Sequence, residues 1–412
     1  MTNSARSQKI SILNAAVIVA ALGYFVDIYD LLLFSIVRIP SLKDIGFAGR
    51  ELEFGATLNN IQMTGLMIGG IIWGVLADRK GRLSVLFGSI FLYSVANLLN
   101  GYAGTFTEYA FCRFFAGLGL AGELGAGITL VSEVLPAGLR GYGTMLVATV
   151  GVSGAVFGGW IAQTFDWRLA FKIGGLLGFL LLLLRISVAE SHIFEQVSQS
   201  KVSRGNFLQL FTSKSRFTRF IYCILAGVPI WYVIGILIVN APEFARSLGI
   251  ADAVSGAKAV MYAYGGFIFG DFASGFLSQL MKSRNRVLRI FIVLNLITSF
   301  YYLFGLQGVS ANYLYGICFT LGVTAGYWAV IISMAAEQFG TNMRGVVTTS
   351  VPNFIRFSLV PMNFFFLMAK GSFGLSTSAL VIGVVVSLIA IFSAFQLKET
   401  FGRDLGFLEH HE

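Results

Sequence analysis

Long apolar runs, each bounded by charge or by glycine and proline, recur along the chain near residues 11–37, 55–77, 83–104, 107–131, 141–163, 169–188, 218–240, 257–281, 287–308, 310–333, 345–369 and 375–397. Each reaches the roughly 20 residues that a helix needs to cross the hydrocarbon core of a bilayer. Backbone polar groups find no partner in lipid, so a run of this kind closes its hydrogen bonds within itself as an α-helix. Twelve transmembrane helices in an all-α integral membrane protein are therefore predicted. The longest polar stretch, about Ala189 to Phe217, divides them into a six-helix bundle at 1–188, a cytoplasmic linker at 189–217, and a second six-helix bundle with a cytoplasmic tail at 218–412. The halves echo each other at a displacement of 204 residues. Glu133-x6-Arg140-Gly141 returns as Glu337-x6-Arg344-Gly345, Gly122 as Gly326, and Arg82 as Arg286. Many transporters are built from such repeats, with two bundles that rock about a site at the midplane.

Composition excludes the other classes. Of 412 residues 56% are hydrophobic and only 12% charged, and the mean hydropathy of +0.78 lies outside the range of soluble domains, where about a quarter of residues are charged. The net charge of +9 is a matter of topology. With both termini in the cytoplasm, nineteen of the 29 Lys and Arg residues fall in inner loops and tails and eight in outer ones, as the positive-inside rule requires. No basic face interleaved with aromatics points to nucleic acid. Cys112, Cys223 and Cys318 all lie inside apolar runs, which supports neither a disulfide framework nor a metal site, and no cofactor is expected. Residues 1–10 are polar and the first run is too long for a signal-peptide core, so it is expected to remain as span 1. With no histidine in a span and no nucleophile–base pair in view, an enzyme is not expected. The expected setting is a monomer in a cell membrane of the bacterial inner-membrane kind, with the lipid bilayer as its partner.

After span 2 comes Gly70-x3-Gly74-Val75-Leu76-Ala77-Asp78-Arg79-Lys80-Gly81-Arg82. Glycines four apart let two helices approach closely, and the charged residues form a tight inner turn. This loop resembles the signature of the major facilitator superfamily. Trp167-Arg168 before span 6, Ala189-Glu190-Ser191 after it and Lys398-Glu399-Thr400 after span 12 extend the resemblance over the whole chain. The resemblance implies a transporter working by alternating access. It also implies an inner gating network of Asp78, Arg79, Arg82, Glu133 and Arg140 that holds the outward-open state, with Glu337 and Arg344 as its counterparts in the second half. Within the superfamily, Gly154 to Gly159 lacks the proline of drug antiporters, and Ile221 to Asn240 lacks the paired glutamines of sugar porters. The stretch Arg113-x3-Gly117-x-Gly119-x2-Gly122-Glu123, followed by Ser132-Glu133, is similar to the metabolite-proton and niacin-like symporters, whose substrates are often carboxylates.

Ionisable groups inside a bilayer cost several kcal/mol unless paired or hydrated, and so mark functional positions. Spans 3, 6, 9 and 12 have none in their middles, which predicts that they face lipid. Spans 1, 4, 8 and 11 carry Asp27, Asp30, Arg113, Glu123, Asp271 and Arg356, which predicts a wet interior. At about 1.5 Å per residue, Asp30 and Arg113 share a level in the outer half. They match a carboxylate and an arginine of the sugar porters, which implies that protonation of the acid breaks the pair and couples proton movement to transport. Asp27, one turn away, competes for the same cation. Glu123, Asp271 and Arg356 form a midplane set, and Glu123 and Asp271 join Asp30, Arg113 and Asp27 as candidates for proton coupling. The planar fork of Arg356 suits a substrate carboxylate, with Asp271 as a competing structural partner, Asn353 one turn before it, and Trp328, Tyr327, Trp231 and Tyr232 as an apolar wall. The expected function is proton-coupled symport of a small, monocarboxylate-like organic anion. A sugar or polyol porter, or a transporter-like receptor that binds without turnover, is the alternative.

Overall fold

The computed structural model describes residues 15–80, 82–123, 125, 127, 135, 137–185 and 207–402. Glu133 lies outside them, and the side chains of Asp78, Arg82 and Arg140 lie outside that description as well.

Each apolar run becomes helix. In the first half, span 1 is Ala15–Asp44, span 2 Glu51–Lys80, span 3 Arg82–Asn100, span 5 Ala137–Thr164 and span 6 Trp167–Arg185. Span 4 starts at Phe106 behind a reciprocal cap, in which the Thr105 side chain accepts from Glu108 N–H while Glu108 reaches back to the Thr105 backbone. Two orphan donors are satisfied this way. The helix runs to Leu120 and turns at Ala121–Gly122 towards Glu123.

In the second half, span 7 begins at Lys214, four residues earlier than the hydropathy pattern suggests, and runs to Tyr232. It then widens into a π-turn at Val233–Ile238 and is followed by a short outer helix, Ala241–Ser247. Span 8 is Gly256–Leu280, span 9 Arg284–Phe304 and span 12 Leu375–Gln396. Spans 10 and 11 are broken. Span 10 consists of Ala311–Ala325 and Trp328–Gln338, and span 11 of Thr341–Phe357 and Leu359–Phe373. Pro361 has no N–H for the Phe357 carbonyl, so the ladder of span 11 is interrupted next to Ser358. Among the described residues nine helices are long and apolar enough to cross a membrane. The shorter span 3, the glycine-rich span 4 and the more polar span 8 pack among them and complete the twelve.

Spans 1 and 5, 2 and 4, and 3 and 6 pack together in the first half, and 8 and 10, 7 and 12, and 9 and 12 in the second. Large exposed apolar side chains are most numerous on spans 9, 12, 6 and 8, for example Ile297, Phe392, Leu180 and Phe272, with fewer on span 11 and two, Phe91 and Leu99, on span 3. Spans 6, 9 and 12, expected from their lack of central charge to face lipid, present such side chains, but so does span 8, which buries Asp271 on one face and exposes phenylalanines on another. The halves meet where span 2 lies on span 11 and span 5 on span 8. A Cβ at Gly70 would press on the Asn353 side chain, and one at Gly74 would touch Val346 and Thr349 at 3.6 Å. The Gly-x3-Gly pair of span 2 thus serves the contact between halves. Asn363 Nδ2 donates to Asn60 Oδ1 at 2.8 Å on the same seam.

Candidate functional site

Between the halves lies a small cavity lined by Tyr24, Ile28 and Leu31 of span 1, Val152 of span 5, Ile230, Trp231 and Ile234 of span 7, Tyr264 and Phe267 of span 8, Trp328 of span 10 and Arg356 of span 11. None of them is more than 5% exposed. The space amounts to about 20 Å³, room for a water molecule but not for an organic solute. The centre is shut in this state, and any larger solute requires the halves to part.

Among the described residues Arg356 is the one cation on that wall. Its Nη1 donates to Asn353 Oδ1 at 3.1 Å, its guanidinium lies 5.6 Å from the centre of the Trp328 ring, and its Nη2 stands 3.9 Å from Asp27 Oδ2. The carboxylate facing Arg356 therefore comes from span 1, across the junction of the halves. The Asp271 partner expected from depth is not there. Asp271 Oδ1 instead accepts the backbone N–H of Ala329 at 2.9 Å, in the first turn of the restarted helix of span 10, whose N–H groups have no partner within the helix. Two donors on the cavity wall, Arg356 Nε and Trp328 Nε1, have no hydrogen-bond partner among the described residues, nor has either carboxylate oxygen of Asp27.

The other expected wall residues divide. Trp231 and Trp328 line the cavity. Tyr232 turns away and donates its hydroxyl to Ala379 O at 2.9 Å in span 12, and Tyr327 donates to Ala226 O at 3.3 Å. Asn353 sits behind Arg356 as a tether, donating to Ala121 O at 3.0 Å in the opposite half and to Thr349 O at 2.8 Å. Tyr24 and Tyr264 are wall residues that sequence reasoning missed. Tyr24 was discoverable, since Tyr24, Asp27, Ile28 and Leu31 fall on one helical face.

Asp30 and Arg113 share a buried polar pocket at a common level, but no ion pair within 4 Å joins them. Arg113 Nη2 donates to Asn97 Oδ1 at 2.5 Å, its guanidinium lies 4.7 Å from the centre of the Phe171 ring, and Asn100, turned oxygen first, accepts from Nε and Nη2 at 3.0 Å. The expected direct pair is thus replaced by amide oxygens of span 3, which take Nε and Nη2, while Nη1 has no hydrogen-bond partner among the described residues. Asp30 is fully buried beside them, and neither of its oxygens has a hydrogen-bond partner among the described residues. Glu123 is not free at the midplane either. It pairs with Arg185 from the inner end of span 6, each 1% exposed. Arg185 reads as a loop cation in the sequence, because nothing local shows that it folds back into the bundle.

At the end of span 2 Arg79 is exposed, while Asp78, Arg82, Glu133 and Arg140 fall outside the described side chains. In the second half Glu337 binds Arg284 through two hydrogen bonds of 2.6 and 2.7 Å and accepts from Thr400 Oγ1 at 2.6 Å. Arg344 Nε donates to Ala336 O at 3.2 Å. The partner of Glu337 is thus the arginine that opens span 9, in place of the Arg344 that spacing suggests.

A helical membrane protein of two halves around a buried cation-bearing centre is a transporter architecture, and residues 15–358 match the Major Facilitator Superfamily. The chain belongs to that family; it is a membrane transporter and not an enzyme. It is similar to the sialic acid transporter NanX of Escherichia coli K12, with 27% identity over 385 residues that cover 90% of this chain and 91% of that protein. It is also similar to the cis,cis-muconate transport protein of Acinetobacter baylyi, with 28% identity over 410 residues, 93% and 94% of the two chains. Among solved structures it is similar to a D-xylose-proton symporter, with a TM-score of 0.73 at 16% identity over 96% of this chain and 100% of that one. That likeness is one of fold.

Proposed function

We propose that this chain is a secondary active transporter that moves a small organic anion of the monocarboxylate type together with protons by alternating access, in a cell membrane with both termini cytoplasmic. The observation that carries the reading is the pair of buried donors, Arg356 Nε and Trp328 Nε1, on one cavity wall without partners. Buried donors are normally satisfied, and a carboxylate supplies two acceptor oxygens in one plane. The aromatic rings around them fit the rest of a small acid. The relatives named for sialic acid and muconate, a monocarboxylate and a dicarboxylate, support an organic anion. Substrate would replace Asp27 as the counter-charge of Arg356 and so act on a contact between the two halves. The inner loop carrying Asp78, Arg79 and Arg82, with Glu133 and Arg140, would serve as the inner gate.

The test compares binding of a panel of monocarboxylates and their uncharged amides, read as thermal shift, to wild type, Arg356→Lys and Arg356→Ala. Wild type is expected to prefer the acid. Lys keeps the charge and loses the fork, so affinity falls by about 1–3 kcal/mol, the worth of a charge-assisted hydrogen bond. Ala is expected to lose the preference altogether. Equal binding of acid and amide by wild type would overturn the anion reading in favour of a sugar or polyol porter. Failure of labelled acid to accumulate in proteoliposomes under an inward proton gradient would instead leave a receptor.

A further inference from the structure

The second half of span 10 restarts at Trp328, and the N–H groups of a helix's first turn have no partner within the helix. Tyr327, at the capping position, makes no side-chain cap bond. The missing acceptor comes from another span: Asp271 Oδ1 of span 8 takes the Ala329 N–H at 2.9 Å, and Oδ2 makes no hydrogen bond among the described residues. Gly326 makes this approach possible, since a Cβ there would lie 2.6 Å from the Asp271 nitrogen and the Gly270 backbone. The backbone held in this way carries Trp328, whose ring faces the Arg356 guanidinium at 5.6 Å and whose Nε1 is an unpartnered donor on the cavity wall.

We propose that Asp271 is a positioning residue of the anion site: by capping the restarted half of span 10 from span 8, it holds the Trp328 indole N–H beside Arg356, so that the two present their donors to one carboxylate. This differs both from the charge-neutralising partner and from the proton carrier that the sequence suggests for Asp271. Asp27 faces the arginine, and the work of Asp271 is done through an accepted hydrogen bond that needs an oxygen and not a charge. The proposal rests on the anion reading of the central cavity.

Amide hydrogen exchange of the peptide spanning 326–332 tests the cap in the full chain, reconstituted in nanodiscs, with no ligand present. Asp271→Ala is expected to speed exchange about tenfold or more, the loss of one buried hydrogen bond. Asp271→Asn, whose amide oxygen still accepts, is expected to stay close to wild type. Unchanged exchange in Asp271→Ala overturns the proposal.

Benzoate and nicotinate then serve as probes of the site. Asp271→Ala and Trp328→Phe are each expected to weaken binding about tenfold, and the double variant no further, since both remove the same donor. Asp271→Asn is expected to keep both the affinity and the uptake driven by a proton gradient. Wild-type affinity in Trp328→Phe overturns the proposal, and Trp328→Phe together with Asp271→Asn decides it even if Asp271→Ala does not fold. Loss of gradient-driven uptake in Asp271→Asn with wild-type exchange also overturns it, by assigning Asp271 to the proton. If wild type bound acid and amide equally, the anion reading would fail while the exchange measurement still judged the cap.

Discussion

Arg356 and Arg113 are two guanidiniums buried to the same degree and treated differently by their surroundings. Arg113 is surrounded by Asn97, Asn100 and Phe171, which leaves Asp30 nearby with both oxygens unpartnered. Arg356 has one amide, a ring and a carboxylate at 3.9 Å, and each guanidinium leaves one donor over, Nη1 of Arg113 and Nε of Arg356. What separates them is place, since Arg356 lines the central cavity and Arg113 does not. The unpartnered acid beside an arginine held by amide oxygens suits proton uptake, because a neutral carboxyl there loses no ion pair within 4 Å. Asp30→Asn is accordingly expected to abolish accumulation driven by a pH gradient while leaving exchange of labelled for unlabelled substrate at equilibrium intact. Counterflow and gradient-driven uptake measured on the same vesicles separate the two. Normal accumulation by the variant would move the proton site to Asp27 or Glu123. The sequence shows which spans carry buried charge, but partner choice depends on rotation of each helix by a few tens of degrees, so Asp271 and Arg356 share a depth without touching.

At the level of elements, the span boundaries follow from apolar length and capping residues, whereas the breaks do not. The π-turn after Tyr232 and the restart at Trp328 place Ile234 and Trp328 on the cavity wall, and no periodicity announces either. The tail after span 12 is fastened by local chemistry. Glu399 accepts from Ser283 Oγ at 2.5 Å, Arg284 N–H at 3.0 Å and Asn285 N–H at 3.3 Å. Burial alone would raise its carboxyl, but the Ser283 hydroxyl and the backbone N–H groups of Arg284, Phe401 and Asn285 outweigh this and hold it below its ordinary value. A depressed folded-state pKa means stability that is present above the ordinary carboxylate range and lost as pH falls through the depressed value. Glu399→Gln should therefore lower the Tm at neutral pH, and the gap should close in acid. Melting curves across that range check it, and a gap that widens in acid would contradict it.

At the scale of the whole molecule, the halves are joined by polar contacts at both the outer end and the centre. Arg38 of span 1 is 2% exposed and reaches Glu243 of the short helix after span 7 at 2.6 Å, while also donating to Glu51 O and Val239 O. In the sequence Arg38 is an outer loop cation. In the fold it ties the first half to the second beyond Asp27, and an outer cavity of about 260 Å³ lies beside it. Glu243→Gln removes the ion pair but keeps the shape, so the closed outer state should lose population to an outward-open one. A cysteine placed at Leu31 on the cavity wall reports the change, since the native Cys112, Cys223 and Cys318 are buried. Labelling by a membrane-impermeant maleimide from outside should become about tenfold faster for a loss near 1.4 kcal/mol. An unchanged rate would mean that the pair does not hold the outer gate.

What the sequence determined by itself is what depends on local composition. Twelve spans arise because apolar length and internal hydrogen bonding set them one at a time. The exposed apolar faces of spans 6, 9 and 12 go with their lack of central charge, and the family follows from a loop whose glycines and charges are contiguous in the chain. The tertiary structure decided what depends on several helices at once. It set Asp27 of the first half against Arg356 of the second, turned Tyr327 and Tyr232 away from the cavity while bringing Tyr24 and Tyr264 to it, folded Arg185 onto Glu123, and gave Asp271 to a helix end. These contacts are governed by how helices rotate and where they break under packing, and the free energies that choose among such arrangements belong to pairs of spans far apart in the chain.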